Sequence, residues 1–309
     1  MPEFTIERLT TADAERLREV RLRALTDAPD AFGSTYEREA AFPMETWADR
    51  LANPDAAYFA ATSGGEIHGM VCGLAERPEQ VHLLSMWVAP EARGAKVGSR
   101  LVDEVVAWAR GRQAQEVELW AVDVNAAARG LYAAKGFLPT GEVMALPSNP
   151  ALLDSQYVLS LVFRAARAED VPAVVALIAD DAVAALRTGA YGPAHEAAFA
   201  AIQADPNNEL IVAELKGEIV GTMQLTYIPG ISRNGATRLQ VEAVRVAAHL
   251  RGQGWGRRMM EWAHAKGRAR GCVMVQLTSD KQREDAHRFY RSLGYSQSHE
   301  GFKLPLTPG

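Results

Sequence analysis

Apolar and polar residues alternate along this chain in a series of segments that occurs twice. Two segments have apolar residues at positions i, i+4, i+5 and i+8, which is the spacing of one buried helix face. These residues are Val97, Leu101, Val102 and Val105 in the first segment, and Trp255, Met259, Met260 and Ala263 in the second. Each set predicts an amphipathic helix that follows a glycine-rich stretch.

Short apolar runs around the two helices predict β-strands. Their positions are 5–9, 58–62, 67–74, 81–88 and 117–122 in the first half, and 163–166, 210–215, 219–227, 239–246 and 273–278 in the second. Turn-forming residues, Ser63-Gly64-Gly65 and Lys216-Gly217, separate the second strand from the third in each half and predict hairpins. Strands mixed with helices predict an α/β (α+β) fold class, with helices packed on the faces of each sheet.

The same motifs recur at a nearly constant offset. The segment that begins at Ile6 matches the one that begins at Phe163 at an offset of 157 residues, and both Arg93-Gly94 and Tyr132 recur 158 residues later. A period of this length indicates two complete copies of one domain, which we place at 1–161 and 162–309. The junction is one strand-like stretch, 157–163, without a flexible linker, so we expect the two domains to pack against each other.

Composition excludes several classes of protein. The 309 residues carry a formal net charge of -5 and no basic block, which argues against a nucleic-acid partner. Cys72 and Cys272 cannot form a disulfide framework, and the seven histidines lack the spacing of a metal site. Because there is neither a signal peptide nor an apolar run of about 18 residues, we expect a cytoplasmic protein with no membrane partner.

Residues 251–256, Arg-Gly-Gln-Gly-Trp-Gly, lie between a predicted strand and a predicted helix. The first N–H groups of a helix have no partner within the helix, and glycines allow an anion to approach them closely. A diphosphate is the expected ligand. The turn fits neither the Rossmann fingerprint nor a P-loop. The alternative is a glycine-rich turn that binds nothing, but a related turn in the first copy favours binding.

Together with a later tyrosine motif, this turn resembles the GCN5-related N-acetyltransferase (GNAT) superfamily. The second copy supplies Arg251, Gly254 and Gly256, followed by Ala286, Phe289, Tyr290, Gly294 and Tyr295. The first supplies Arg93 and Gly98, followed by Asn125, Ala128, Leu131, Tyr132, Gly136 and Phe137. It departs from the pattern at Lys96, where the motif has glycine. The resemblance covers nearly the whole chain and implies two tandem GNAT folds, each with a mixed, splayed central sheet.

The resemblance implies that acetyl-CoA binds as co-substrate where two parallel strands separate, and that no metal takes part. The residues that it assigns to this binding are Val88, Arg93, Gly94, Ala95, Lys96, Val97, Gly98 and Asn125, and Val246, Arg251, Gly252, Gln253, Gly254, Trp255 and Gly256. Tyr290 and Tyr132 correspond to the family's proton donor to the departing thiolate, and Glu242 to a base for the amine. The alternatives are packing aromatics for the tyrosines and a strand carboxylate held in an ion pair for Glu242.

The implied function is transfer of an acetyl group from acetyl-CoA directly to a primary amine, and we expect a small-molecule acceptor. The alternatives are acetylation of protein N-termini or lysines and, in a different class, non-catalytic binding or sensing of acyl-CoA. We expect turnover in the second copy, because Lys96 occupies the position of Gly254 and Leu84 that of Glu242. Two acidic pairs, Asp180-Asp181 and Glu37/Glu39, either attract a cationic acceptor or form solvated charged surfaces.

Overall fold

The computed structural model describes residues 3–180, 189–302, 304 and 306. The chain divides into two compact units, Met1–Val162 and Phe163–Gly309. The stretch that we predicted as one strand is two, because the first ends at Ser160, the chain bends at 161–162, and the next begins at Phe163. None of the helices in the described ranges has the length and apolarity needed to cross a membrane.

The N-terminal unit is a seven-stranded sheet with helices packed on it. Its strands are Thr5–Arg8 (β1), Ala56–Ser63 (β2), Glu66–Arg77 (β3), Gln80–Val88 (β4), Glu116–Val122 (β5), Leu138–Leu146 (β6) and Asn149–Ser160 (β7). Its helices are Ala14–Asp27 (α1), Tyr36–Ala40 (α2), Met44–Ala52 (α3), Val97–Gly111 (α4) and Ala126–Ala134 (α5). The sheet order is β1-β2-β3-β4-β5-β7-β6. The neighbours are antiparallel except β4 and β5, which run parallel.

Two hydrophobic cores lie in this unit. The predicted face of α4 is buried: Val97, Leu101, Val102 and Val105 are all 0% exposed and pack with apolar residues of β2 to β5. A second core gathers residues of α1 and α3, including Leu17 and Trp47, around Met70 of β3. Full burial of one such side chain contributes about 1.5–3 kcal/mol to folding. These contacts therefore fix the helices, and the loops that connect them, on the sheet.

The C-terminal unit repeats the first part of this fold. Its strands are Phe163–Ala165 (β8), Asn208–Leu215 (β9), Glu218–Pro229 (β10), Thr237–Val246 (β11) and Met274–Leu277 (β12). Its longer helices are Val171–Ala179 (α6), Pro193–Ala204 (α7), Trp255–Ala269 (α8) and Glu284–Ser292 (α9). The sheet order is β12-β11-β10-β9-β8. The predicted face of α8, from Trp255 to Ala263, is buried as well.

In the described residues the second sheet has fewer strands than the first, whereas we expected two complete copies. The C-terminal sheet has five strands, and no described residue after Tyr295 forms a counterpart of β6 or β7. The segment 296–301 is polar and has few strand-forming residues, and the apolar side chains that follow, Phe302, Leu304 and Leu306, are exposed. Among the described strands, β12 is consequently an edge strand, whereas β5 pairs with β7.

Each sheet opens at the one parallel pair among its described strands, as the resemblance to the GNAT superfamily implied. β4 and β5 pair only from Gln80 to His82, although both strands continue beyond that point. β11 and β12 pair only from Arg238 to Val241. Beyond these positions, the backbone groups of β4 and β11 that face the gap have no strand partner on that side. Ser85 and Ala243, with φ of 55° and 51°, lie in bulged parts of these strands near the start of each gap.

Candidate active site

The turn after each gap has the same backbone conformation in both units. Gly252 and Gly254 have φ of 78° and 84°, while Gly94 and Lys96 have φ of 83° and 60°. No described atom lies within 4 Å of the place where a Cβ on either glycine of the second turn would stand. An anion can therefore approach the N-terminus of α8 closely. Lys96 adopts the same left-handed conformation, which costs a non-glycine residue about 1–2 kcal/mol.

The arginine that begins each turn holds the turn in place. Nε of Arg251 donates to the carbonyl of Val246 at 3.1 Å, and its Nη2 lies 2.5 Å from the Asp180 carboxylate. Asp180 therefore pairs with the turn, although its side chain stays about half exposed. Asp181, its partner in that expectation, lies outside the described residues. Because the Arg251 guanidinium already bonds to Val246 and Asp180, its main effect on a ligand is to fix the backbone around the glycines.

The last glycine of each motif has a packing role. A Cβ on Gly98 would stand 3.1 Å from Met86 Cε and 3.2 Å from Leu131 Cδ2. A Cβ on Gly256 would stand 3.3 Å from Phe289 Cζ. These glycines let α4 and α8 approach the helix that carries the tyrosine. The assignment of both residues to acetyl-CoA binding stays a prediction.

Other residues assigned to the co-substrate already make contacts within the protein. The side chains of Val97 and Trp255 are buried, with 0% and 6% exposure. Gln253 donates from Nε2 to the His249 carbonyl at 2.7 Å. Asn125 is the N-cap of α5, and its Oδ1 accepts from the Ala128 N–H at 3.1 Å. Ala95 packs against the larger core of the N-terminal unit.

A cavity of about 420 Å³ lies beside the second turn. It is lined by Val244, Val246, Leu250, Arg251, Gly252, Gly254, Gly256, Arg257, Arg283, Ala286, Phe289 and Tyr290. It therefore unites one strand, the turn and α9, and brings the predicted Val246, the glycines and Tyr290 together. In the described chain this lining contains three arginines and no carboxylate. An apolar wall next to open glycines and cations fits a ligand that has phosphates and an extended arm, as coenzyme A does.

Two of the cavity's arginines, Arg257 and Arg283, were missed by the sequence reasoning. Both had a signal: at the offset of 158, the first copy has Ser99 and Asn125 in their places. The offset was used to find residues that are the same in both copies, whereas these two arginines occur only in the second copy. The comparison of the two copies could have found both.

The two motif tyrosines lie in different surroundings. Tyr290 lines the cavity, with its ring centroid 5.9 Å from that of Tyr295. Burial raises the pKa of Tyr290, while Arg245 and Arg283 act in the opposite direction. Tyr132 is 5% exposed and packs in the core against Phe137, and burial raises its pKa as well. Both phenols thus carry their proton at neutral pH, as a proton donor requires.

Glu242 is exposed on β11, at the position before Ala243, where the strand is bulged. Among the described residues it forms no ion pair, so the alternative of a carboxylate held by a cation has no support there. Its use as a base stays a prediction. In the first copy, Leu84 occupies this position and is 38% exposed.

Only one member of the second acidic pair, Glu39, is buried. Glu39 is 2% exposed, and its carboxylate accepts from Arg21 Nη2 at 2.7 Å and from Arg50 Nη1 at 2.9 Å. Glu39 connects α2 to α1 and α3. It therefore neither attracts a cationic acceptor nor belongs to a solvated charged surface, which were the two alternatives that we gave. Glu37 is exposed. Within the described ranges, His, Cys, Asp and Glu form no group of three or more that could hold a metal ion.

Comparison with known proteins decides the family. The sequence matches the Acetyltransferase (GNAT) family over residues 21–137 and again over 175–295. The chain belongs to this family. The two matches fall in the two units of the structure, so the chain is an N-acetyltransferase built from two GNAT domains.

Three relatives are each similar to less than half of this chain. An aminoalkylphosphonate N-acetyltransferase of Salmonella typhimurium strain LT2 is 32% identical over 143 residues, which is 46% of this chain and 90% of that protein. N-alpha-acetyltransferase 80 of Mus musculus is 49% identical over 57 residues, 18% of this chain and 17% of that protein. A solved structure described as a transcriptional regulator from Bacillus halodurans C-125 is 41% identical, with a TM-score of 0.46, over 47% of this chain and 98% of that one.

Proposed function

We propose that the C-terminal domain transfers an acetyl group from acetyl-CoA to the primary amine of a small molecule. One observation carries this proposal: a single cavity joins the open glycine turn to Tyr290 beside the strand that bears Glu242. The cavity supplies a place for the diphosphate and arm of the co-substrate, and the gap between β11 and β12 supplies a place for the thioester.

Each group in the site then has a task in a direct transfer. Glu242 accepts a proton from the amine, since an alkylamine with a pKa of about 10.4 is mostly protonated at neutral pH. Backbone N–H groups of β11 that face the gap polarise the thioester carbonyl. Tyr290 donates its proton to the departing sulfur, whose thiol has a pKa of about 8.5. Glycines and arginines of the turn orient the co-substrate for attack.

The acceptor that we propose is a short aminoalkyl compound, in preference to a peptide. The support is the relative from Salmonella typhimurium, which is named for aminoalkylphosphonate and matches this chain over 90% of its own length. The mouse relative, named for N-alpha acetylation, matches over 17% of its length. An acceptor of this kind combines a nucleophilic amine with an anion.

We assign turnover to the C-terminal domain because two differences weaken the N-terminal one. Lys96 brings a side chain to the turn position that Gly254 leaves open, and Leu84 cannot accept a proton. The backbone of the first turn nevertheless has the same conformation. We therefore expect the N-terminal domain to bind acetyl-CoA weakly, with a structural or regulatory role.

The test is thiol release from acetyl-CoA with a panel of amines, alongside calorimetric binding of acetyl-CoA. The panel contains aminoalkylphosphonates, alkylamines of the same length without the phosphonate, and peptides with free N-termini or lysines. We expect release with the small amines and little with the peptides. Binding without release from any amine would assign the chain to the non-catalytic class, and a preference for peptides would make it a protein acetyltransferase.

A further inference from the structure

One face of α9 carries both the phenol of the site and a cation. Arg283 is the N-cap residue of this helix, and Tyr290 follows seven residues later, two turns along and on the same side. Both side chains, and that of Ala286 between them, line the cavity. Their Cα positions are about 10 Å apart along the axis.

The N-terminal domain lacks this arrangement. Asn125 occupies the position of Arg283, and its side chain is used to cap α5. Tyr132 is more deeply buried than Tyr290, and burial alone raises the pKa of its phenol. In the C-terminal domain, Arg245 on β11 and Arg283 on α9 both lower the pKa of Tyr290 against the effect of burial. The two domains therefore differ in the charge that surrounds the same tyrosine.

This difference matters because of what proton donation leaves behind. In the proposed transfer, the amine nitrogen forms a bond with the thioester carbon, the C–S bond breaks, and its electron pair stays on sulfur. The Tyr290 hydroxyl proton moves to that sulfur, which produces the CoA thiol and a phenolate. A buried anion without a nearby cation is costly. Glu242 has taken one proton from the amine before the attack. A second proton, lost from the same nitrogen after the new bond forms, restores the phenol.

We propose that Arg283 is a positioning residue whose guanidinium stabilises the phenolate left when Tyr290 donates its proton. The inference rests on the proposed function and adds that competence as a proton donor depends on this arginine. By the same reasoning, the asparagine in the N-terminal domain leaves Tyr132 without that support. Arg283 thus provides a physical reason for turnover in one domain that is separate from the differences at Lys96 and Leu84.

The test compares Arg283→Asn, which installs the residue of the other domain, with Arg283→Lys and Tyr290→Phe in the full-length chain. We expect kcat to fall about ten- to a hundredfold in Arg283→Asn, because a positive charge near the phenolate is lost, and to recover in part in Arg283→Lys. In the Tyr290→Phe background, Arg283→Asn should cost nothing further, since both changes remove the same step. Additive losses would overturn the proposal.

Arg257→Ser is the matched control, because it removes a second cavity arginine and installs the first copy's residue. We expect this change to raise the KM for acetyl-CoA and to leave kcat nearly unaltered. If Arg283→Asn gives that same pattern, Arg283 binds the co-substrate and the proposal is wrong. Wild-type protein that acetylates no amine would instead refute the proposed function.

A titration that needs no turnover gives an independent reading. The absorbance of tyrosinate at alkaline pH, taken as the difference between the chain with and without Tyr290→Phe, reports this one phenol. Among the described residues, Arg245, Arg283 and the neighbouring phenol of Tyr295 are the titratable or charged groups that act on it. We expect the pKa of Tyr290 to rise in Arg283→Asn and to stay near the wild-type value in Arg283→Lys. An unaltered pKa in Arg283→Asn would overturn the inference.

Discussion

Arg251 lies 2.5 Å from Asp180, and this contact ties the glycine turn to the end of α6. Arg93 makes the same contact with Asp27 at the end of α1, also at 2.5 Å. Each arginine uses its Nε to bond the carbonyl of the last residue of the preceding strand. The repeat of this pair in both domains indicates that the arginine's first task is to shape the turn.

Asp180→Asn should therefore affect the co-substrate more than it affects stability. Both side chains of the pair are about half exposed, so we expect the free energy of unfolding to change by less than about 1 kcal/mol. The KM for acetyl-CoA should rise several-fold as the turn loosens. Asp27→Asn is the same change in the N-terminal domain and should leave that KM unaltered. Equal effects of the two substitutions would contradict our choice of the active domain.

Gly254→Glu and Lys96→Glu put a carboxylate at the same place in the two turns. Because the backbone at Lys96 shows that a side chain is tolerated there, both variants should fold. We expect Gly254→Glu to abolish turnover, since the carboxylate repels the diphosphate, and Lys96→Glu to retain it. Steady-state rates and calorimetric stoichiometry of acetyl-CoA binding measure both effects.

Gly254→Lys is the control for strain in this experiment. It costs the same conformational energy, about 1–2 kcal/mol, but carries a positive charge. We expect it to weaken binding and to retain part of the turnover. If Lys96→Glu abolishes activity and Gly254→Glu does not, the active domain is the N-terminal one.

Glu242→Gln keeps the shape of the side chain and removes its ability to accept a proton. We expect kcat to fall by about 10²–10⁴-fold at neutral pH, the usual contribution of a general base. Binding of acetyl-CoA should be unaltered. Leu84→Gln provides the matched control, because it places the same amide at the equivalent, similarly exposed position of the other domain. An unaltered rate in Glu242→Gln would show that the amine loses its proton to another group.

Glu39→Gln should destabilise the N-terminal domain strongly. Arg21 is 6% exposed, so loss of the carboxylate leaves a buried guanidinium without its counter-charge, at a cost of about 3–5 kcal/mol. Urea unfolding at pH 7 measures this difference. Glu37→Gln, two residues away and exposed, should change stability by no more than about 0.5 kcal/mol.

The same variant gives a pH dependence with a defined sign. Although burial acts to raise the pKa of Glu39, hydrogen bonds from Arg21 and Arg50 lower it below its ordinary value of 4.5. A carboxyl group with a lowered pKa in the folded state contributes its stability above the unfolded pKa. That contribution disappears as the pH falls through the lower, folded value. The stability difference between wild type and Glu39→Gln should therefore shrink below about pH 4.5; a constant difference would contradict the assignment.

Periodicity and repetition predicted most of the fold. The buried faces of α4 and α8 and both hairpins follow from local patterns that tertiary packing reinforces. The gap between parallel strands was expected only from the resemblance to the GNAT superfamily. That the described part of the second unit has no counterpart of β6 and β7 could not be predicted in this way, because the offset between the copies aligned only their earlier motifs. The break between Ser160 and Phe163 was missed for a different reason: a mainly apolar run of seven residues has the same pattern whether it forms one strand or two.

The site was predicted less completely than the fold. Residue types located Tyr290 and the glycines, but they could not show that Arg251 is already paired or that Gly98 is enclosed by Met86 and Leu131. Glu39 looked like a surface carboxylate because its partners, Arg21 and Arg50, are distant in sequence. Contacts of this kind depend on how helices pack, and a single sequence carries little information about them.

The short pairing of β12 has a consequence for how the C-terminal domain moves. This strand is joined to the sheet by only four residue pairs with β11, and no described strand covers its other side. Its outward amides should therefore exchange with deuterated water far faster than those of β5, which pairs with β7 over seven residues. A ligand that fills the gap between β11 and β12 would contact β12 on the side that faces β11 and would restrict its motion. Slowed exchange there would report occupancy without any measurement of chemistry.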